Sequence, residues 1–179
     1  KKKNHTVKTV KNIDFLNEPL TSTQFDKLRI RLKKRRLLKK LYNNYQSLAV
    51  TPNSKNFVYY PLHYEPERTT NPDGGNFYNQ LNVILSLRDF LPDDIPLYIK
   101  EHPSQFSQKR PGHRGRSLYF YKFIASLPNT YLVDLSHPSI ELIKHAQFTA
   151  AITGTAALES VFMGKKALLF GYNSFTGCP

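Results

Sequence analysis

Thr149-Ala-Ala-Ile-Thr-Gly-Thr-Ala-Ala-Leu-Glu-Ser-Val-Phe-Met-Gly-Lys-Lys-Ala-Leu-Leu-Phe-Gly171 reads as strand, tight turn, helix and strand. Phe148 to Ile152 is a short apolar run, as expected of a strand buried on both faces. Thr153-Gly154-Thr155 supplies a turn and a hydroxyl N-cap. Ala156 to Met163 suits a helix, Gly164 suits its C-terminal stop, and Lys166 to Phe170 suits the next strand. In such a unit the turn lies at the carboxyl end of a parallel strand, where open α/β sheets bind ligands. The helix terminus there favours an anion, typically phosphate. Thr153 and Thr155 add hydroxyl donors. Glu159, one helical turn beyond Thr155, is placed to face the same site and accept from a ribose diol. The competing reading is a plain packing unit with a capping Thr and an exposed Glu.

Working outward, the strand–helix alternation continues toward the N terminus. Asn56 to Tyr60, Pro96 to Lys100 and Thr130 to Val133 are the other apolar strands. Phe77 to Phe90, Leu118 to Ser126 and Ser139 to Ala146 are the helices between them. With the C-terminal pair this makes about five strands alternating with helices. It predicts an α/β fold with a Rossmann-like, doubly wound parallel sheet. The first strand is followed by Pro61-Leu-His-Tyr-Glu-Pro-Glu-Arg-Thr-Thr70, which packs His63, Glu65, Glu67 and Arg68 into one strand-end loop. Such loops carry function more often than other surface loops. Glu65 and Glu67 are the local candidates for acid/base work.

Glu101-His102-Pro103 follows the second strand directly, so His102 is aimed at the same edge and Pro103 stiffens the turn. His137-Pro138 is the same dipeptide but reads as a helix start, with Ser136 as N-cap. Ser104 to Ser117 is long and basic, with Lys109, Arg110, His113, Arg114 and Arg116. It is either a solvated loop or a mobile flap over an anionic substrate.

The chain has 179 residues, 40% of them hydrophobic, and a formal charge of +13. That charge is concentrated. Residues 1–55 hold 15 Lys/Arg against 3 Asp/Glu, and residues 56–179 hold 11 against 10. A nucleic-acid-binding fold more often spreads basic residues over its working face, so nucleic acid is disfavoured as a partner. Two parts are expected: a basic segment over 1–55 and a Rossmann-like lobe over 56–179 that reads as cut short at its C terminus. Residues 1–20 show no clear period. From Gln24 to Ser47 the chain avoids Gly and Pro, and Phe25, Leu28, Leu32, Leu38, Leu41, Tyr42 and Tyr45 recur roughly at helical spacing. Thr23 and Asp26 are spaced as a capping box. This basic amphipathic helix either packs on a protein core or docks on anionic lipid headgroups. One cysteine, Cys178, excludes an internal disulfide, and no apolar run is long enough to span a membrane as a helix. No metal-ligand spacing appears among the His residues.

Four pieces together resemble the bacterial capsular polysaccharide biosynthesis family, the group containing Kdo-transferase-like glycosyltransferases. They are Tyr60-Pro-Leu-His-Tyr-Glu-Pro-Glu67 with Thr69-Thr70; Tyr98-Ile-Lys-Glu-His-Pro103; Arg110-Pro-Gly-His-Arg114; and Thr153-Gly-Thr-Ala-Ala-Leu-Glu159 running on to Gly171. They span roughly residues 56–171. The resemblance implies a GT-B architecture of two lobes, with this chain as the C-terminal, nucleotide-sugar-binding lobe. It implies that His102 and Pro103 match the family's His-Pro motif on the donor phosphate. Thr153, Gly154 and Thr155 match the hydroxyl pair at a helix N terminus, and Glu159 the ribose contact. Here the pair is Thr-Gly-Thr rather than two adjacent hydroxyl residues. His63, Arg68, Arg110, His113 and Arg114 are expected substrate contacts.

The function so implied is donor binding in a glycosyltransferase for capsular or other cell-surface polysaccharide, with a CMP-sugar favoured. The partners are the nucleotide-sugar, a glycan acceptor, a missing N-terminal lobe and an anionic membrane surface met through residues 24–47. No metal or further cofactor is expected. The chain alone is expected to be inactive, and its expected location is cytoplasmic, peripheral on the inner face of the membrane. UDP-sugar epimerases and CDP-alcohol phosphotransferases of similar fold, and a non-catalytic binding module, are the alternatives.

Overall fold

The computed structural model describes residues 23–66 and 75–172. The chain divides into two units, Lys1–Lys33 and Lys34–Pro179. In the first, Thr23 and Asp26 form the expected capping box. The Asp26 amide donates to the Thr23 hydroxyl at 3.3 Å, and an Asp26 carboxylate oxygen accepts from the Thr23 amide and hydroxyl at 3.2 and 2.7 Å. These bonds hold the Asp26 pKa below the ordinary carboxylate value. The helix they start is α1, Gln24–Leu48.

In the second unit, the later turns of α1 bury Leu38, Leu41 and Tyr45, spaced three and four apart so that one stripe faces the core. Arg35, Arg36, Lys39 and Lys40 point away and are exposed. The described strands are β1 (Ala49–Val50), β2 (Val58–Pro61), β3 (Leu97–Lys100), β4 (Thr130–Val133), β5 (Phe148–Ala151) and β6 (Lys166–Leu169). They form one sheet in the order β1-β4-β3-β2-β5-β6, parallel at every pairing. The expected doubly wound sheet is present with one strand more. Ala49 and Val50 pair with Leu132 and Val133, but two residues are too few to show a period. Residues 34–50 therefore belong to the α/β unit rather than to a separate basic segment.

The helices are α2 (Gln80–Phe90), α3 (Leu118–Ser126), α4 (Ser139–His145) and α5 (Thr155–Phe162). On one face of the sheet, Val58, Tyr60, Leu97, Ile99 and Leu132 pack with Leu41 and Tyr45 of α1, Val83, Ile84 and Leu87 of α2, and Tyr121 and Ile124 of α3. On the other, Phe57, Tyr59, Tyr98 and Val133 pack with Leu142 and Ile143 of α4. This two-residue alternation is the strand period, with both faces apolar because both are covered.

Several helix starts differ from expectation. Asn79, not Phe77, begins α2: its side chain accepts from the Leu81 amide at 3.0 Å. Phe77 sits in a preceding single turn and meets Phe170 at 4.9 Å between ring centres. For α4 the N-cap is Pro138 rather than Ser136. The Asp134 carboxylate takes both the amide and the hydroxyl of Ser136, which holds that residue in the turn before the helix. Gly164 has φ +70°, the left-handed conformation expected at the stop of α5. No described helix is long and apolar enough to cross a membrane.

Leu41 is 1% exposed and Phe90 is 85% exposed. Leu41→Ala should therefore cost about 2–5 kcal/mol and Phe90→Ala less than about 0.5 kcal/mol, as read from urea unfolding midpoints.

Candidate functional site

The strand order reverses between β2 and β5. From β2 the chain builds outward through β3 and β4 on one side, then returns to lay β5 on the other. The loops leaving β2 and β5 diverge, and a crevice opens between them at the carboxyl edge. A cleft of about 340 Å³ lies there, lined by Pro61 to Tyr64, by His102 and by Thr153 to Ala156. The sequence readings of His63, His102, Thr153, Gly154 and Thr155 thus converge on one place.

His63 is fixed at every polar atom of its backbone. Its amide donates to the Gln80 side-chain oxygen at 2.7 Å, and its carbonyl accepts from the Gln80 amide nitrogen at 3.1 Å and from Arg116 at 2.9 Å. Its ring Nε2 accepts from the Ile152 amide at 3.2 Å, so the neutral ring carries its proton on Nδ1. Burial, aided by the charges of Arg116 and His102, pushes its pKa down to about 4. Gly154 is required beside it: a Cβ there would lie 2.9 Å from the His63 ring. His102 has the opposite arrangement. Its Nδ1 accepts from the Ser104 amide at 3.2 Å, capping the turn Pro103–Phe106, which places the neutral ring's proton on Nε2.

Behind the cleft lies a buried ionic cluster. Arg116 donates to Glu101 through Nε at 2.7 Å and to Glu65 through Nη1 at 2.7 Å. The Tyr121 hydroxyl donates to the same Glu101 oxygen at 2.7 Å, and the other Glu101 oxygen accepts the His102 amide at 2.8 Å. The Tyr45 hydroxyl accepts from the Glu101 amide at 3.0 Å and donates to the Val133 carbonyl at 2.5 Å. Burial opposes charge on Arg116, but Glu101 and Glu65 outweigh it and push its pKa up, so it stays a cation. The phenol of Tyr121 is pushed up by burial and by Glu101, so it remains a donor. The loop after β3 is tied to the same cluster. Gln105 accepts from the Glu65 amide and donates to the Glu65 and Gly112 carbonyls, at 2.9, 2.8 and 2.7 Å. A Cβ at Gly115 would stand 2.4 Å from the Glu65 carbonyl oxygen. Residues 103–117 are thus tied to the cluster at Gln105, Gly112 and Arg116.

The remaining expected residues fall in different places. Glu65 has its two oxygens engaged by Arg116 and by Gln80, the latter at 2.6 Å, so it braces the loop instead of facing the cleft. Glu159 does not line the cleft; its carboxylate accepts from the Thr155 hydroxyl at 3.3 Å. The N-cap of α5 is Gly154, with no side-chain cap bond, and Thr155 is the first helical residue. The expected hydroxyl cap is therefore corrected to a backbone one, imposed by the His63 ring packed against residue 154. Arg110 lies over the ring of Tyr64, 5.3 Å from its centre, and so reaches the cleft rim through that residue. Pro103 opens the turn after His102 but faces a neighbouring groove. His113 is half-buried, and its Nδ1 has no hydrogen-bond partner among the described residues. Burial lowers its pKa, with Lys34 and Arg114 adding to the effect. Arg114 is exposed. Glu67, Arg68, Thr69, Thr70 and Cys178 lie outside the described residues.

Arg116, Glu101, Gln80, Gln105 and Tyr121 were not singled out as functional from the sequence. Glu101 had a signal, as a charged residue directly after a buried strand. Arg116 had none that set it apart from Arg110 and Arg114. Chemically, the cleft is lined by two imidazoles, threonine hydroxyls and the first turn of α5. None of its lining residues is acidic. No cluster of three or more His, Cys, Asp or Glu fit to hold a metal ion occurs among the described residues.

No protein-family description matches the sequence, and no curated protein matches it. Solved structures do. KpsC of Thermosulfurimonas dismutans, as a beta Kdo 2,7 transferase, aligns at 16% identity and a TM-score of 0.50, covering 85% of this chain and 47% of that one. A second structure from that organism, KpsC as a beta Kdo 2,4 transferase, aligns at 15% identity and a TM-score of 0.45, covering 87% of this chain and 48% of its own. The fold resembles one Rossmann-like lobe of a GT-B glycosyltransferase. The chain spans about half the length of the structures it matches.

The folded pKa of His63 lies below its unfolded value, so between pH 6.5 and about 4 the unfolded chain binds more protons. Its contribution, about 3 kcal/mol by linkage, is complete above pH 6.5 and is lost as pH falls toward 4. His63→Gln should flatten that part of the stability–pH curve, and nitrogen NMR of the parent should show a neutral, Nδ1-protonated ring at pH 6. Removing the guanidinium with Arg116→Met leaves Glu101 buried without its cation and should cost about 3–5 kcal/mol in urea unfolding. Arg116→Lys should recover only part of this, because an ammonium cannot reach both carboxylates in a fork.

Proposed function

We propose that this chain binds the donor of a glycosyltransferase acting in capsular or other surface-polysaccharide synthesis, and that the donor is a nucleotide-sugar, with a CMP-sugar favoured. The observation that carries the reading is the cleft at the reversal of strand order, where His63, His102 and Thr153 to Thr155 converge. The likeness to a KpsC lobe supports it at the level of fold.

In such a transfer an acceptor hydroxyl oxygen bonds to the anomeric carbon of the sugar. The bond from that carbon to the donor phosphate oxygen breaks, and the phosphate leaves with the electron pair. The acceptor proton passes to a base. Charge therefore accumulates on phosphate oxygens, where fixed donors lower the barrier most. On this reading, the N–H groups of His102 and His63 and the first turn of α5 receive the phosphate, and the Thr155 hydroxyl joins them by turning its one proton away from Glu159. Burial keeps the His63 ring uncharged down to about pH 4, so its donation does not vanish as pH rises. Ile152 and Ser104 set which nitrogen carries the proton. Glu159, which already receives the Thr155 hydroxyl, is one turn away and is the proposed ribose contact. The acceptor-activating base is proposed to lie in a second lobe, so the chain alone should not catalyse transfer.

Thermal denaturation with CMP, CDP, UMP, UDP and GDP tests this. A ligand of the folded state stabilises by about 2.7 kcal/mol at a hundred times its Kd. Stabilisation is expected with cytidine nucleotides, and loss of it is expected in His102→Ala and in Thr155→Val. Unchanged binding in both variants would refute the site. Preference for uridine nucleotides would keep the site and refute the CMP-sugar donor.

A further inference from the structure

A second concavity lies on the other side of the turn that carries His102. It is a groove of about 490 Å³ between α1 and the start of the loop after β3, lined in part by Arg35, Lys39, Tyr42, Phe106, Ser107 and Gln108. It opens at the carboxyl edge of the sheet, as does the cleft. Tyr45 of the same helix stretch bonds the last carbonyl of β4 and the Glu101 amide just past β3.

Three features describe what fits there. The first is a rigid aromatic wall. Phe106 meets Tyr42 at 5.5 Å, and is backed by Tyr45 and Tyr121 at 5.7 and 6.2 Å. Tyr42 itself is 42% exposed, so its ring is available for contact. The second is cationic: Arg35 and Lys39 sit one helical turn apart, and both are exposed. The third is that no nearby carboxylate cancels them. There is no Asp or Glu between Asp26 and Glu65, nor between Glu101 and Asp134. The two carboxylates of the cluster behind the groove, Glu65 and Glu101, are already paired with Arg116. His113 reports the same field, since after burial the causes that depress it are Lys34 and Arg114.

We propose that this groove is a binding subsite for an anionic saccharide, whose carboxylate or phosphate meets Arg35 and Lys39 while a sugar ring lies against Tyr42 and Phe106. A flat lipid surface would engage exposed cations without needing a concave aromatic wall, and a nucleic acid would need more rings set for stacking. Ser107 and Gln108 supply polar groups for sugar hydroxyls. The Ser107 amide is tied to the Ser104 carbonyl at 3.1 Å, in the turn that His102 caps. One short turn therefore presents His102 to the cleft and Phe106 to Gln108 to the groove. That the bound saccharide is the acceptor rests on the transferase reading; that an acidic saccharide binds does not.

The test is calorimetric titration of the full chain at about 150 mM salt, which screens diffuse attraction. The probes are a heparin tetrasaccharide and neutral maltotetraose. Binding of the acidic probe alone is expected. Arg35→Ala/Lys39→Ala should weaken it by about ten-fold or more and Tyr42→Ala by about five-fold, while Lys27→Ala/Arg31→Ala, which removes the same charge elsewhere on α1, should change it by less than about two-fold. Equal loss from the two double variants would mean diffuse charge and would overturn the proposal. So would equal binding of maltotetraose, no binding of the acidic probe, or binding only to vesicles containing phosphatidylglycerol. The Arg35/Lys39 variant should keep the thermal response to nucleotides. A parent that binds the acidic probe in the groove but no nucleotide would remove the donor reading and leave this one standing.

Discussion

The guanidinium of Arg116 joins segments that are far apart in the sequence: the loop after β2 through Glu65 and the His63 carbonyl, and the end of β3 through Glu101. Taking the Arg116 cation and the Glu101 carboxylate fully out of water, with Glu65 partly so, is costly, and the cost is recovered only when nearly every polar atom is satisfied. Here Tyr121, Gln80 and the His102 amide complete the set. A well-packed apolar cluster could stabilise the fold as well. What the guanidinium adds is direction: its fork of donors sets the angle of both loops at once. The ionic cluster is better understood as a device for specifying geometry than as a source of net stability.

That geometry matters because of where the strands lie. A doubly wound sheet leaves a crevice where its order reverses, but the crevice is only as well formed as the loops beside it. Both histidines reach the cleft from backbones fastened by the cluster. His63 is held by Arg116 and Gln80, and His102 by its amide on Glu101. Tyr45 extends the same network to α1 and β4. The apolar core on the α1–α3 face and the polar cluster thus meet at Tyr45 and Tyr121, two rings 5.1 Å apart that bury their faces and spend their hydroxyls on the cluster. Side chains of this kind suit a boundary between a core and a site.

Much of the fold was legible because it depends on local patterns. Strands β2 to β6 are runs of apolar residues bounded by Pro, Asn or Gly, and α1 announces itself by its spacing and capping box. The two-residue β1 was not legible, since pairing with β4 rather than its own sequence makes it a strand. The convergence of His63, His102 and the Thr153–Thr155 turn could be anticipated, because each directly follows a recognisable strand. Their support could not. Gln80 lies in a helix, Gln105 in a turn and Arg116 among other basic residues, and only the folded chain brings them within 3 Å of the same few atoms. Glu65 shows the converse. Its position suggested chemistry, but Arg116 and Gln80 claim both oxygens of its carboxylate.

Gly154 and His63 occupy adjoining space, and this binds their histories together. A side chain at 154 would collide with the imidazole as it stands, while a smaller residue at 63 would leave a gap where the ring now accepts the Ile152 amide. Neither position can drift alone without loss. A chain that enlarges 154 must shrink or turn 63, and by doing so gives up a fixed N–H donor for whatever a different side chain offers. Substitutions at these two positions are therefore expected to come in pairs across the β2–β5 boundary, each change in side-chain volume on one strand answered by one on the other.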